Sequence, residues 1–221
     1  LYGAQRETLQ MLHKAGKKVI FVNCSGSAMA LTPELESCDA IIQAWYGGER
    51  AGEAVADVLF GDYNPSGKLP LTFYRSTDDL PDFLDYTMKN RTYRYFKGEP
   101  LFAFGYGLSY TTFEMGEPSF ADNKIRVAVK NTGTRDGDEV VQVYLNRPDD
   151  REGPSKTLRA YQRVTVKAGE TRYVEMDFPR ERFECWDATT NTMRVIPGSY
   201  ELMVGTSSND SDLQRLKVII E

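Results

Sequence analysis

The hydrophobic pattern of this chain changes its period once, and that change limits the folds available to it. Up to about residue 60, apolar residues recur at helical spacing or form short unbroken runs. From about residue 118 onward they alternate with polar residues. A period near 3.6 puts apolar side chains on one face of a helix, whereas a period of two puts them on one face of a strand. The pattern predicts α/β structure followed by an all-β domain.

Four elements are predicted in the first part of the chain. Its strands are the apolar runs KVIFVN (18–23) and DAIIQAW (39–45), which are typical of a parallel sheet covered on both faces. Two amphipathic helices flank them, and Gly16 is placed to end the first. Their apolar faces carry Leu1, Ala4, Thr8, Leu12 and Ala15, and then Ala51, Ala54, Val55, Val58 and Leu59. Because two strands are too few for such a sheet, residues 1–75 are expected to be the C-terminal part of a larger domain with an open α/β sheet.

The second part, residues 118–221, contains short alternating runs separated by turn residues. The runs are KIRVAVKN (124–131), EVVQVYLN (139–146), RVTVKAG (163–169), TRYVEMDF (171–178), SYELMVG (199–205) and RLKVII (215–220). Such spacing predicts an antiparallel β-sandwich of immunoglobulin or fibronectin type. Cys185 and Trp186 are adjacent, so the Cys–Trp–Cys spacing of an immunoglobulin domain is absent and a fibronectin type III-like sandwich is predicted. The candidates for an exposed aromatic cluster, which would favour a binding module, are Tyr161, Tyr173, Phe183 and Trp186. Each of them is expected instead in the core or between domains.

The segment between these parts, residues 76–117, has no clean period and is rich in Tyr, Phe, Gly and Pro. So many aromatic residues do not suit a flexible linker. Long ordered segments of this kind are often functional. We expect an ordered connection that lies across both domains.

The charge and composition exclude several classes of function. The formal net charge is −5 and basic residues are spread thinly, which argues against nucleic acid as a partner, since phosphate binding needs a concentrated basic face. No apolar run approaches the roughly 18 residues of a membrane-spanning helix, so no membrane partner is expected. No signal peptide is visible, and a leader for periplasmic or extracellular export would lie upstream. Cys24, Cys38 and Cys185 are expected to be free thiols, with a Cys24–Cys38 disulfide as the alternative.

Most catalytic and cofactor motifs are absent from the chain. The only histidine is His13, so no Ser-His-Asp or Cys-His arrangement can form within it, and a zinc site is not expected. No glycine-rich phosphate loop is present. The acidic run at 135–139 lacks the rest of a calcium-binding loop and is expected to be a turn. No cofactor and no metal are predicted.

Residues able to contact a ligand follow the two predicted strands of the first part. In an open α/β sheet, ligands bind beyond the carboxyl ends of the strands. The segments NCSGSA (23–28) and WYGGER (45–50) occupy those positions. The candidates, an aromatic pair beside small and polar groups that suits a sugar, are Asn23, Ser25, Ser27, Trp45, Tyr46 and Glu49. Two structural alternatives stay open: Trp45 caps an apolar core, and Glu49 is a first-turn carboxylate of the next helix.

Several stretches resemble the C-terminal part of family 3 glycoside hydrolases, the β-glucosidase and β-xylosidase group. LYGAQRETLQMLHKAGKKVIFVNCSGSAMAL and DAIIQAWYGGERAGEAVADVLFGDYNPSGKLPLTF are similar to the end of the family's second, α/β-sandwich domain. NRTYRYFKGEPLFAFGYGLSYTTF is similar to the segment that leads into the C-terminal module, and its RTYRYF favours the xylosidases. VKNTGTRDGDEVVQVYL, LRAYQRVTVKAGET and IPGSYELMVGTSS resemble the family's fibronectin type III-like domain.

The resemblance implies a retaining glycosidase with two catalytic carboxyl groups. In such enzymes an Asp from a first, barrel-like domain attacks the anomeric carbon and a Glu from the second is the acid/base, with about 5 Å between them. This chain lacks the Ser-Asp-Trp motif that carries the Asp, and the resemblance puts the acid/base Glu upstream of Leu1. Neither Glu7 nor Glu34 is assigned that role. No catalytic residue is therefore expected in this chain, which should be inactive alone and supply only substrate-adjacent groups.

Two hypotheses for function follow. The first is the C-terminal segment of a retaining exo-β-glycosidase acting on β-linked xylosides or glucosides, with a carbohydrate substrate and a missing N-terminal catalytic part as partners. The second is a non-catalytic fibronectin-like module that binds carbohydrate or protein. The α/β pattern of residues 1–75 favours the first, because a pure binding module does not need it. The unpaired strand edges of that part also predict self-association when the N-terminal partner is absent.

Overall fold

The computed structural model describes all residues, 1–221, and the chain divides into two compact units. The first, which we call the α/β unit, comprises residues 1–63, 71–91 and 96–103. The second, the sandwich unit, comprises residues 64–70, 92–95 and 104–221. The connecting segment 76–117 therefore contributes residues to both units, while the domain boundaries expected near 75 and 117 stay predictions. None of the helices has the length and apolar character needed to cross a bilayer.

The α/β unit contains the predicted helix–strand–strand–helix order. Its elements are α1 (Gly3–Lys14), β1 (Ile20–Asn23), α2 (Thr32–Leu35), β2 (Ala40–Gln43), α3 (Ala51–Phe60) and a 3₁₀ helix (Thr77–Asp79). Strands β1 and β2 pair in parallel, in a register that runs from Ile20 opposite Ala40 to Asn23 opposite Gln43. Helix α3 ends where Gly61 takes a left-handed φ of 82°, a conformation that a residue without Cβ adopts at little cost.

The apolar faces of the α/β unit lack cover within this chain. Neither α1 nor α3 has a fully buried residue. The expectation that the strand at 18–23 is buried on both faces is not met, because the sheet has only two strands and Ile20 is exposed. Large apolar side chains exposed on this unit include Tyr2, Met11, Leu12, Leu35, Phe60, Phe83, Leu84 and Tyr86. Exposed apolar side chains in this number are typical of a surface that binds another chain or segment.

The sandwich unit consists of two facing antiparallel sheets. Its elements are α4 (Thr92–Tyr95), β3 (Phe113–Met115), β4 (Ser119–Ala121), β5 (Lys124–Asn131), β6 (Gly137–Asn146), β7 (Thr157–Val166), β8 (Thr171–Asp177), β9 (Cys185–Asp187), β10 (Thr192–Arg194), β11 (Gly198–Gly205), β12 (Leu213–Ile220) and 3₁₀ helices Arg180–Phe183 and Asp210–Asp212. One sheet has the order β12-β11-β6-β7. In the other, β5 pairs with β3 and β4 on one side and with β8 on the other. Strands β9 and β10 form a separate hairpin.

The core of the sandwich is built by the predicted alternation. Ile125, Val127 and Val129 on β5 are buried, whereas the intervening residues are less so. Phe178, Phe183 and Tyr200 fill the end of this core, with ring centroids 5.2 and 5.4 Å apart in edge-to-face pairs. The expected fold class, an α/β part followed by a fibronectin type III-like sandwich, is confirmed.

Two sequence-based expectations for the sandwich are corrected. The strand expected at 163–169 is instead β7, Thr157–Val166, because Lys167–Glu170 form the turn into β8 and Gly169 takes a left-handed φ of 75°. Of the four aromatic residues expected in the core or between domains, only Phe183 lies in the core, and packing of the other three between domains stays a prediction. Tyr161, Tyr173 and Trp186 are exposed within this chain, because they lie on strand residues that point away from the core or on the β9–β10 hairpin.

Buried polar side chains attach the segment before β3 to the sandwich. Gln142 Nε2 donates to the carbonyls of Gly105, at 3.1 Å, and Thr206, at 2.6 Å. The Tyr144 hydroxyl donates to Gln142 Oε1, and burial raises the pKa of that hydroxyl well above its ordinary value. A Cβ at Gly105, whose φ is 79°, would lie 2.1 Å from Gln142 Oε1, so this close approach requires glycine.

Asn131, fully buried at the end of β5, provides the second attachment. Its Nδ2 donates to the carbonyls of Arg135, at 2.7 Å, and Val166, at 2.9 Å. Its Oδ1 accepts from the Thr111 hydroxyl at 2.7 Å and from the Gly133 N–H at 3.0 Å. One amide thus closes the turn after β5 and holds residue 111 against the sheet.

Candidate functional site

The carboxyl ends of β1 and β2 lie side by side and are joined by their last side chains. Asn23 and Gln43 face each other in the parallel register, and Asn23 Nδ2 donates to Gln43 Oε1 at 2.7 Å. Asn23 is buried, so this bond between two amides fixes both strand ends in place. Gln43 was not among the predicted residues, since only the pairing of the two strands reveals that it stands opposite Asn23.

The hydroxyl of Ser25 extends this amide network into the loop after β1. It accepts from Asn23 Nδ2 at 3.1 Å and from Gln43 Nε2 at 3.2 Å, and it donates to the carbonyl of Ser27 at 2.9 Å. A hydroxyl has one proton to donate and two lone pairs, so these contacts satisfy it completely. Ser25 therefore shapes the loop and is not placed as a nucleophile, whereas Ser27 is exposed at the loop surface.

Trp45 follows β2 in a backbone conformation that is rare for a bulky residue. Its φ is 56°, in the left-handed region, where such residues are outliers held in place by their surroundings. The indole packs edge-to-face on Phe73, with the ring centroids 6.2 Å apart, and Phe73 is buried. Trp45 itself is half-buried, so the alternative that it packs on the apolar core holds for part of its surface.

Tyr46 lies across the loop that follows β1. A Cβ built on Gly26 would be only 2.7 Å from Tyr46 Cε2, so the ring lies directly against the backbone of that glycine. Tyr46 is nevertheless 78% exposed. The structure thus brings the two strand-end loops together through this contact, with an aromatic ring available to a ligand beside the Ser25–Ser27 segment.

Glu49 is exposed and lies apart from the amide network. Helix α3 begins at Ala51 with Arg50 as its N-cap, and the acidic residue of its first turn is Glu53, which forms an ion pair with Arg50. The alternative that Glu49 is a first-turn carboxylate is therefore wrong. Glu49 is the only carboxylate among the predicted site residues, so the site has groups for stacking and hydrogen bonding but no pair of carboxylates.

Two further carboxylates of the α/β unit, Glu34 and Asp39, hold its elements together. Glu34 is fully buried in α2 and accepts from Arg6 Nε at 2.7 Å, which ties α1 to the segment before β2. Hydrogen bonds from Lys18 Nζ, at 2.7 Å, and from the Val19 N–H, at 2.9 Å, lower the pKa of Asp39 and join the amino ends of the two strands.

Neither a metal cluster nor a disulfide is present. No group of three His, Cys, Asp or Glu side chains is arranged to hold a metal ion. The three cysteines are free thiols, so the alternative of a disulfide between the first two does not apply.

Comparison with known families matches two successive parts of the chain. Residues 1–110 match the glycosyl hydrolase family 3 C-terminal domain. Residues 139–208 match the fibronectin type III-like domain. The first match contains every predicted site residue, and the second lies within the sandwich unit.

Individual relatives extend the likeness over nearly the whole chain. The chain is 55% identical to a xylan 1,4-β-xylosidase of Xylanibacter ruminicola, over 98% of its own length and 26% of that protein. It is 37% identical to a β-xylosidase of Formosa agariphila, over 100% of its length and 32% of that protein. The crystal structure of DesR, a β-glucosidase of Streptomyces venezuelae solved with D-glucose, superposes with a TM-score of 0.88 at 32% identity, over 99% of this chain and 31% of that one. The chain thus spans about a quarter to a third of the length of these relatives.

Proposed function

Because this chain belongs to family 3 of the glycoside hydrolases, as their C-terminal part, we propose that it is a segment of a retaining exo-β-glycosidase that hydrolyses β-xylosides or β-glucosides. The observation that carries the proposal is the strand-end site of the α/β unit. There, Tyr46 lies open beside a hydrogen-bonded loop and Trp45 is held at a strained φ. A sugar offers an apolar ring face and a rim of hydroxyls, and this combination of groups matches both.

In this proposal the chain forms the wall of the active site and does not supply the reacting carboxyl groups. Tyr46 and Trp45 contact the apolar face of a sugar, while Ser27, the Ser25 loop and Glu49 receive its hydroxyls. A retaining mechanism needs a nucleophile and an acid/base about 5 Å apart. Glu49 has no second carboxylate beside it among these residues, so we expect the isolated chain to be inactive.

The exposed apolar surface of the α/β unit supports the same proposal. Phe60, Phe83 and Tyr86 are among its exposed side chains, and burying residues of this size is worth about 1.5–3 kcal/mol each. An N-terminal catalytic part that supplies further strands and helices would cover this surface. The partners proposed are therefore that part and a carbohydrate substrate.

The test is hydrolysis of p-nitrophenyl β-D-xyloside and β-D-glucoside by the chain alone and by the chain mixed with the upstream polypeptide. Activity in the mixture only, with the preferred glycoside identifying the sugar, is expected. Tyr46→Ala should raise the KM of the mixture several-fold, whereas Tyr110→Ala, a 44% exposed tyrosine of the sandwich unit, serves as the matched control. Hydrolysis by the chain alone would show that both carboxyl groups are present here and would overturn the assignment of an inactive segment.

A second role, carbohydrate binding by the sandwich, is favoured by one specific observation. Tyr161, Tyr173 and Trp186 lie outside the sandwich core and are 70%, 84% and 53% exposed in this chain. Exposed aromatic rings are the groups that a saccharide-binding surface needs. This role does not exclude the first, since the two sites lie in different units.

A further inference from the structure

The side chain of Gln43, the last residue of β2, reaches across the sheet to the loop of residues 24–28 that follows β1. Its Nε2 donates to the Ser25 hydroxyl at 3.2 Å and to the Ser25 carbonyl at 3.4 Å, while its Oε1 accepts from Asn23 Nδ2 at 2.7 Å. We propose that Gln43 is a positioning residue of the strand-end site: it holds this loop, and the loop holds the ring of Tyr46 where a sugar can stack on it. This inference rests on the proposed function, because it concerns the affinity of that site for its sugar.

Backbone hydrogen bonds do not fix the loop after β1 relative to the segment after β2. The last of them runs from the Ala44 N–H to the Asn23 carbonyl, at 2.9 Å. Beyond it, the only hydrogen bonds that join residues 24–28 to β2 or to the segment after it come from the Gln43 amide. Asn23 also bonds to Ser25, but these two residues lie on the same segment. Gln43 therefore holds the two segments together.

The hydrogen bonds around Gln43 allow its amide only one orientation. Its Oε1 faces Asn23 Nδ2, a donor, so exchanging the two ends of the amide would place two NH₂ groups against each other. The Ser25 hydroxyl donates its one proton to the Ser27 carbonyl, at 2.9 Å, and therefore accepts from Gln43. The side chain at position 43 must both accept and donate, which an amide does and a carboxylate does not.

The loop that Gln43 holds lies directly against Tyr46. Gly26 stands between Ser25 and Ser27, which the serine hydroxyl joins, and a Cβ on Gly26 would lie 2.7 Å from Tyr46 Cε2. Tyr46 is 78% exposed and makes no hydrogen bond within the chain, so this contact is what places its ring. An exposed side chain without such a contact exchanges among its staggered rotamers.

The expected effect of losing the Gln43 contacts is on the affinity for substrate. A side chain that is ordered only when the ligand binds carries an entropy cost that a preorganised side chain avoids. We expect loss of the bonds to Ser25 to raise KM about threefold to tenfold. The kcat should stay within about twofold, because a group that acts through Tyr46 affects binding of the ground state and of the transition state alike.

Two substitutions separate the loop contact from the bond between the strand ends. Gln43→Glu keeps an acceptor for Asn23 but loses the donor to Ser25, whereas Gln43→Met, of similar length, loses both. KM and kcat are measured at pH 7 for the reconstituted mixture with the preferred p-nitrophenyl glycoside. Both variants should raise KM. Gln162→Met replaces an exposed glutamine of the sandwich unit and is the matched control, which should leave KM unchanged.

A double-mutant cycle tests whether Gln43 acts through Tyr46. Gln43→Met should have no further effect on the KM of a Tyr46→Ala mixture, because the ring through which it acts is then absent. Hydrogen exchange of peptides covering 18–23 and 39–44 establishes that β1 and β2 remain paired in each variant. If their protection is lost and kcat falls while KM is unchanged, Gln43 only stabilises the sheet and the positioning role is wrong.

Three further outcomes would overturn the proposal. They are a KM that neither Gln43 substitution changes, a KM raised by Gln43→Met but not by Gln43→Glu, and additive effects of Gln43→Met and Tyr46→Ala. The second of these would mean that only the bond to Asn23 matters. A parent mixture that hydrolyses neither glycoside would overturn the proposed function and this role with it, whereas an active parent mixture with unchanged variants would overturn this role alone.

Discussion

Replacing Asn131 with alanine should destabilise the sandwich unit more than any exposed asparagine substitution. The side chain is fully buried and makes four hydrogen bonds, at 2.7, 2.9, 2.7 and 3.0 Å. Two of its partners, the Thr111 hydroxyl and the Val166 carbonyl, belong to buried residues. The other two, the Arg135 carbonyl and the Gly133 N–H, belong to residues that water can reach.

The magnitude follows from the two buried partners. A buried polar group left without its partner costs about 1–3 kcal/mol, so Asn131→Ala should lower the free energy of unfolding by about 2–5 kcal/mol. Because an intact domain has roughly 5–15 kcal/mol of stability, the variant should remain folded at low temperature but lose much of its margin.

Hydrogen-exchange mass spectrometry in increasing urea gives the unfolding midpoint of the sandwich separately from that of the α/β unit. Peptides covering 124–146 should lose protection at a lower urea concentration, by about 1–2 M if the urea slope lies in its usual range. Asn209→Ala is the matched control, because Asn209 is exposed and caps its 3₁₀ helix without a side-chain hydrogen bond. Equal urea midpoints for Asn131→Ala and Asn209→Ala would show that the Asn131 side chain does not hold the turn after β5 in place.

Three further predictions concern the strand-end loop, acid stability and association. Gly26→Val should displace Tyr46, because Tyr46 Cε2 lies 2.7 Å from the position of the new Cβ. The variant should raise the KM of the reconstituted mixture and leave the unfolding of the sandwich unaltered. An unchanged KM would contradict the role of Tyr46. Hydrogen bonds from Lys124 and Arg126 lower the pKa of Glu175 from 4.5 to about 2, so their stabilisation is present above pH 4.5 and is lost as the pH falls towards 2. Urea midpoints at pH 5 and pH 3 should therefore differ less for Glu175→Gln than for the parent chain, and equal differences would exclude this cause. The exposed apolar side chains of the α/β unit should cause the chain to self-associate at micromolar concentration. A single monomeric boundary in sedimentation velocity would contradict this prediction.

The fold was largely predictable because most of its signals are local. Alternating residues over 124–131 mark β5 from end to end, and Gly16, placed to end the first helix, follows directly on its C-cap, Ala15, with a left-handed φ of 69°. The end of β7 was misplaced by three residues, because the valines before the turn continue the alternation up to Lys167. A period of two cannot by itself show where a strand stops and its turn begins.

The sequence predicted that the two strand ends lie side by side, but it did not predict the contacts that their residues make. The rule that ligands bind at strand ends selected Ser25, Ser27, Trp45, Tyr46 and Glu49, and their contact with a ligand stays a prediction. It did not identify Gln43, which belongs to the site only because β1 and β2 pair in parallel register. Nor did it show that the Ser25 hydroxyl already has all its hydrogen-bond partners within the chain. These facts depend on which residues stand opposite each other, and residues twenty apart in the sequence carry no local signal of that pairing.

The sequence by itself determined the class of each part, since the hydrophobic period is set by how a helix or a strand presents its side chains. Only the tertiary structure decided that Gln43 stands opposite Asn23, that Arg159 is the bulged residue of β7, and that Trp45 is held at a left-handed φ. Each of these depends on two segments brought together by sheet register or by packing, and such long-range contacts leave no periodic trace in the chain.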